Sequence, residues 1–272
     1  LLVWYLPPDK DFLAENPYWN GTRQLAAQPV RSLGELARLP DKSALILLPY
    51  LPMGSQELSQ LRDFVSGGGI LVLADDYGYG NQVLEYLGLK ARFYGQTLLD
   101  PLFNFKNQNF PRVTRFNSPV TTGLDSLVLN YATALENVAD EETLALSSVV
   151  SFLDRNENAT WDTGEPTGPL PVVSRHKLGG GQVFLVSDPS IFINSMLDLG
   201  SNRTFVSRIA AGASGLFLDQ SHLPPSQLIR ARGWLTPLVD FLTTPGGVAI
   251  MSLALLVLIL VPLWQERRPF WQ

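Results

Sequence analysis

The chain has no cysteine among its 272 residues. This excludes a disulfide scaffold, a thiolate zinc site and a cysteine nucleophile. Histidine is scarce, with only His176 and His222, too few for a histidine-rich metal centre. Basic residues are outnumbered 20 to 25 by acidic ones, and the formal charge of -5 argues against a nucleic-acid surface. Internal repeats and low-complexity tracts are also missing. Apolar side chain is plentiful, at 46% of the residues. That suffices for one large core or two small ones.

One apolar run stands apart. Gly246 to Trp264 reads GGVAIMSLALLVLILVPLW and carries no charge. As a helix it extends roughly 28 Å, close to the hydrocarbon thickness of a bilayer. Core helices are seldom apolar all round for so long. Trp264, Phe270 and Trp271 fit an interfacial aromatic belt, and Arg267 and Arg268 follow. The positive-inside rule then places a tail, 265–272, in the cytoplasm and the preceding domain outside. The expected layout has residues 1–15 as the end of an N-terminal anchor or a first strand. An extracytoplasmic domain follows over 16–232, then a juxtamembrane linker, 233–245, and the span, 246–264.

Within the domain the pattern is α/β. SALILLPY (Ser43–Tyr50) and GILVLADD (Gly69–Asp76) are continuous apolar runs, as expected for strands covered on both faces. Between them Leu58, Leu61, Phe64 and Val65 recur at helical spacing, with Ser55 as expected N-cap and Gly67–Gly69 as the stop. A second short helix carries Val83, Leu84 and Leu87 on one face. Strand–helix–strand order implies parallel pairing with right-handed crossovers. Residues 90–126 are irregular. A strand is expected at Thr143–Leu153. A glycine-turn hairpin is expected from PVVSRHKL to QVFLVSD, then helices at PSIFINSMLDLG and SNRTFVSRIAAGA and a last strand at GLFLDQSH.

Several segments carry candidate chemistry. In DRNENATWDTGE, the residues Asp154, Asn156, Asn158, Thr160, Asp162 and Glu165 stand at positions one, three, five, seven, nine and twelve of an EF-hand-type calcium loop. Position seven would give its backbone carbonyl. Ala159 replaces the glycine of position six, which strains the turn, so calcium and a plain acidic hairpin loop both stay open. DDYGYGNQ lies at a strand's carboxyl end, where open α/β sheets bind ligands. Gly78 and Gly80 would let a ligand approach, but the third glycine of a dinucleotide fingerprint is missing, and a tight turn with acidic side chains capping the helix is the simpler reading. Asp75, Asp76, Gly80, Asn81, Asp188, Asn194, Asp219 and His222 form a candidate ligand rim. Asn20, Asn158 and Asn202 begin N-x-S/T sequons; Asn20 and Asn202 are the candidate glycosylation sites.

The segments SGGGILVLADDYGYGNQVLEYLGL, LLDPLF, NYATALE, SDPSIFINSML and FLDQSH occur in this order before the apolar run. Together they resemble an uncharacterised membrane-anchored family whose external domain is similar to class I glutamine amidotransferases. The resemblance covers most of residues 16 to 222. It implies a flavodoxin-like, largely parallel sheet with helices on both faces and a hairpin insertion. It also implies a non-catalytic binding or scaffold subunit beside other membrane or cell-surface proteins. Amidotransferases of this fold use a cysteine nucleophile, which this chain lacks. A small-ligand sensor or hydrolase using the acidic rim is the alternative.

Overall fold

The computed structural model describes residues 10–223, 235–237 and 239–265, with side chains to Val261. Residues 1–9 of the expected anchor or first strand, Leu238, and the tail with Arg267, Arg268, Phe270 and Trp271 lie outside these residues, while residues 10–15 are described and form turns instead of a strand. Two compact units divide the chain, Pro8–Pro224 and a second containing Pro225–Gln272.

The first unit is mixed α/β. Its buried centre is β2 (Ala44–Leu47) beside β3 (Ile70–Ala74), paired in parallel. Apolar cover on both faces explains their unbroken apolar sequence. Helix α1 (Ser55–Ser66) buries Leu58, Leu61 and Val65 against this sheet. The N-cap position falls on Gly54 instead of Ser55, and Glu57 Oε2 accepts from its backbone N–H at 2.8 Å. Helix α2 (Gly80–Leu87) stops at Gly88, whose φ of 75° suits glycine.

β12 (Pro171–Leu178) and β13 (Gly181–Val186) form the expected hairpin. β13 also pairs in parallel with β3, so the hairpin is built into the main sheet. With β1 (Gln28–Val30), β7 (Arg115–Phe116), β10 (Thr143–Leu146) and β14 (Leu216–Asp219), the sheet order is β1-β14-β2-β3-β13-β12-β10-β7. The first five strands are parallel and the rest antiparallel. Numbered one to five along the chain, the parallel strands lie in the order one-five-two-three-four, whereas a flavodoxin-type sheet runs two-one-three-four-five.

Two expected elements change form. Thr143–Leu153 is broken into β10 and β11 (Phe152–Asp154), which belong to different sheets. Ser151 Oγ donates to Ser147 Oγ at 2.7 Å and closes a turn that pushes Val149 and Val150 outward. The segment after Pro189 is a single 3-10 turn, Pro189–Phe192, with extended backbone at Ile193. Helix α3 (Asn202–Ile209) forms as expected.

The irregular middle is a layer of two-stranded ladders. β4 (Arg92–Phe93) pairs with β9 (Leu135–Glu136), β5 (Thr97–Leu99) with β11, and β6 (Arg112–Val113) with β8 (Leu127–Val128). One core, containing Leu61, Leu73, Leu84 and Leu185, lies on the α1/α2 face. The other, containing Val72, Val186, Phe192 and Phe205, lies under α3 and the ladders.

In the second unit, the helix Pro245–Gln265 covers the expected span, and its apolar side chains from Val248 to Val261 are exposed. By length and composition, no single helix among the described residues is long and apolar enough to cross a membrane. Leu235–Thr243 and Pro245–Val261, bent by 90°, meet the requirement only as a pair.

Gly181 marks the tightest approach of the hairpin to α1. A Cβ there would lie 2.2 Å from the carbonyl oxygens of both Gly69 and Val65. Gly181→Ala should therefore lower unfolding free energy by about 1–3 kcal/mol or more, since backbone must move. Urea denaturation measures this, and an unchanged midpoint would refute the packing described.

Candidate functional site

Asp75 follows β3 directly and is buried. Its Oδ1 accepts from the N–H of Asp76 at 3.0 Å and of Gly78 at 2.7 Å, and its Oδ2 from Gly80 at 2.7 Å. A Cβ on either Gly78 or Gly80 would lie 2.6 Å from this carboxylate. The two glycines thus make room for the Asp75 side chain, in keeping with a tight turn in which an acidic side chain caps the helix start. Asn81 is also structural: its amide donates to Phe93 O and its Oδ1 accepts from Phe93 N, joining α2 to β4.

Asp76 and Asp188 each lie two residues beyond the neighbouring strands β3 and β13. Asp188 is fully buried, and its two oxygens accept from Ser190 N and Asn130 N, both at 2.7 Å. Burial pushes Asp188 up to about 8 and Asp75 up to about 6, with the Asp76 charge adding to both; Asp76 is itself raised by burial. Tyr50, at the end of β2, faces the same charges and is strongly raised, chiefly by burial.

Residues 11–25 close over this end of the sheet. The Phe12 ring stacks on Tyr50 at 5.4 Å, and Ala14 N donates to Gln220 Oε1. The Asn194 side chain donates to Asn16 O and Tyr18 O and accepts from Gln24 N. Asn194 therefore holds this cover in place. Asn20 lies in the same cover, accepting from Asn16 Nδ2 and donating to Asp11 Oδ1.

Asp219 and His222 form a separate group on the α1 side. Asp219 is fully buried and accepts from Ser221 N, Ser221 Oγ and His222 N. His222 Nδ1 stands 2.8 Å from Asp219 Oδ2, and Nε2 stands 3.4 Å from Glu57 Oε1. Burial alone would lower the imidazole, but the hydrogen bond and charge of Asp219, with Glu57, outweigh it and raise it. The structure thus divides the expected rim into two groups. Glu57, Tyr50 and Phe12 were not expected there. Glu57 had one sequence signal, its place three residues after Gly54 at a helix start.

In the polar loop, Asp154 Oδ1 and Oδ2 accept from the N–H of Asn158 and Ala159. Asn156 Oδ1 accepts from Asn158 N, and Asn158 Oδ1 from Thr160 N. The Asn156 and Asn158 amides both donate to Asp162 Oδ2, at 2.8 and 2.6 Å. Ala159 adopts φ of 63°, so the turn forms without the glycine. Glu165 accepts from Arg155 N and Asp162 N instead of facing the other carboxylates. Among the described residues, no group of three or more histidine, aspartate or glutamate side chains is placed to hold a metal. Beside the loop lies an apolar cavity of about 400 Å³, lined by Pro101, Val150, Phe152, Trp161 and neighbours. Asn202 is fully buried, with its side chain bonded to Val128 and Met196, so it leaves no exposed amide for a glycan.

A family model described as a domain of unknown function (DUF4350) matches residues 14–210. No curated protein matches the chain. Among solved structures, the chain is similar to the mmIFT52 N-terminal domain, with 13% identity, covering 66% of this chain and 81% of that one, at a TM-score of 0.48. It is also similar to a ThuA-like protein from Bacteroides uniformis, with 14% identity, covering 66% and 70%, at a TM-score of 0.36. A β-galactosidase from Bacillus circulans sp. alkalophilus matches with 17% identity over 57% of this chain but only 21% of its own length, at a TM-score of 0.33.

The buried carboxylates set a pH dependence. Folding raises Asp75 and Asp188 above their ordinary 3.8, so their contribution is full below about pH 4. It is lost as pH rises through about 6 and then about 8. Asp125, Asp162 and Asp198 shift the opposite way but are solvent-screened. Stability from urea titrations should fall between pH 4 and 8, and Asp188→Asn should reduce the slope of the upper half, leaving the part that comes from His222, which is also raised. A rise across this range would refute the assignment.

Proposed function

The chain belongs to the DUF4350 family, whose description names no activity, and we propose from its own geometry that it is a membrane-associated, non-catalytic binding or scaffold domain. The observation that carries this reading is the filled carboxyl end of the sheet. Phe12 and Tyr50 occupy it, and Asp75, Asp188 and Asp219 spend their oxygens on backbone amides and near neighbours. The amidotransferase-like and flavodoxin-like likeness belongs to the motif order in the sequence, and the missing cysteine removes that chemistry.

An exposed surface offers a place to bind. Leu102 is 71% exposed, Val149 61% and Trp161 53%, with Phe103 and Phe105 also exposed. Val149 and Trp161 line the same cavity as Pro101, which precedes Leu102 and Phe103 in the chain, and contiguous apolar exposure marks contact surfaces. The apolar C-terminal helix supports placement beside other membrane or cell-surface proteins. The 2.8 Å Asp219–His222 pair favours the alternative, a hydrolase or small-ligand sensor. Against it, the cavity of about 400 Å³ and another of about 580 Å³ are lined by other residues.

We further infer that the loop from Asp154 to Glu165 takes calcium. Support comes from the left-handed Ala159 and from the shared contacts of Asp154, Asn156, Asn158 and Asp162. Calcium would tie these oxygens together and stiffen the cavity wall. It would leave the fold's chemistry otherwise unchanged.

Gently solubilised full chain should migrate with a second membrane protein by size exclusion with light scattering. Phe103→Asp with Trp161→Asp should abolish that co-migration while the melting temperature holds. A wild type that always runs as a lone monomer would sink the scaffold reading. For the loop, terbium emission sensitised through Trp161 should saturate, with calcium competing at roughly 10⁻⁴–10⁻³ M. Asp162→Asn should remove the signal, and its persistence in that variant would reject the site.

A further inference from the structure

We infer that Glu57, His222 and Asp219 form a proton-operated clamp that fastens the end of the α/β unit to α1 and releases it as the solution becomes alkaline. The three groups come from separate places. Glu57 stands in the first turn of α1, Asp219 ends β14, and His222 lies two residues before the unit's boundary at Pro224. The His222 side chain is 4% exposed, and each of its ring nitrogens faces a carboxylate oxygen.

That arrangement suits only the charged ring. Imidazolium donates from both nitrogens, whereas neutral imidazole has a single N–H. The remaining proton stays on Nδ1, because Asp219 is fully buried and loses most by losing a donor. Nε2 then turns a lone pair toward Glu57 Oε1 at 3.4 Å. Two acceptors face each other, and Glu57, whose side chain is 39% exposed, can rotate into water.

The charged groups around the ring are Asp219 from β14, Glu57 from α1 and Lys10 from the N-terminal cover, whose charge acts on Asp219. Lys10 is lowered by burial, with Asp219 opposing. His222 is raised above its ordinary 6.5, so the clamp is closed below that value and opens as pH climbs beyond it. What opens is local: the Ser221–Leu223 exit loses its tie to α1, and the bonds from the Ser221 and His222 amides to Asp219 then open more often.

Hydrogen exchange on the detergent-solubilised full chain, from pH 5.5 to 9 and corrected for intrinsic rates, tests the clamp. Protection of the amides from Ser221 to Leu223 should fall about tenfold for each unit by which His222 is raised, tracking the ring titration seen by NMR. Glu57→Gln should keep the exit protected at alkaline pH, because a carboxamide can donate to neutral Nε2. His222→Gln should abolish the pH dependence. The clamp is overturned if wild-type protection is flat, or if either variant reproduces the wild-type curve. Should His222→Gln not fold, the Glu57→Gln comparison alone decides.

Discussion

The carboxylate of Asp75 is buried at the end of the central strand and must be satisfied there. Three backbone N–H groups do so, and they reach it only if the chain curls tightly around the side chain. No Cβ fits at two positions of that curl, hence Gly78 and Gly80. The turn aims α2 back along the sheet and turns Tyr77 outward, where its hydroxyl bonds Thr97 and Tyr131 O. Through Tyr77, the strand end is tied to the layer of ladders. Removing this one acceptor would leave three donors unpaired and misdirect both the helix and the layer.

The same economy extends along the sheet's carboxyl end. Asp188 joins the Pro189 turn to the Asn130 backbone, and Asp219 holds the Ser221–His222 corner. In an open α/β sheet this end commonly takes a ligand. Here the chain's own residues 11–25 lie across it, with Phe12 in the core. The burial that stabilises this closure also favours the neutral carboxyl at Asp75 and Asp188.

Much of the core was legible in the sequence, because local pattern and burial coincide there. ALIL and ILVLA are covered on both faces, and the spacing of Leu58, Leu61 and Val65 matches a helical face. The glycines at 179–181 announce the hairpin. The failures have side-chain causes that periodicity does not show. Ser147 and Ser151 bond to each other and split a long apolar run into two strands. Asp188 caps a turn too short to become a helix. For the candidate site, the position at the strand ends was legible, but the partners were not. Gly78 and Gly80 with the adjacent acids signal a capped turn, but not that Asp75 alone takes three backbone N–H groups there. In the polar loop, Ala159 takes the left-handed turn in spite of its Cβ, and Glu165 turns toward the backbone. The cover over the rim depends on bonds between residues some 170 positions apart, such as Gln24 to Asn194.

The edges of the eight-stranded sheet constrain what this domain can join. One edge, β1, has three residues with Pro29 at its middle, and the other, β7, has two. Neither offers a run of free backbone donors long enough to template another strand. Strand addition, a common way for sheets to capture extended peptides, is closed to both sides. At this sheet, recognition would run through side chains, by shape and apolar match, instead of through strand pairing.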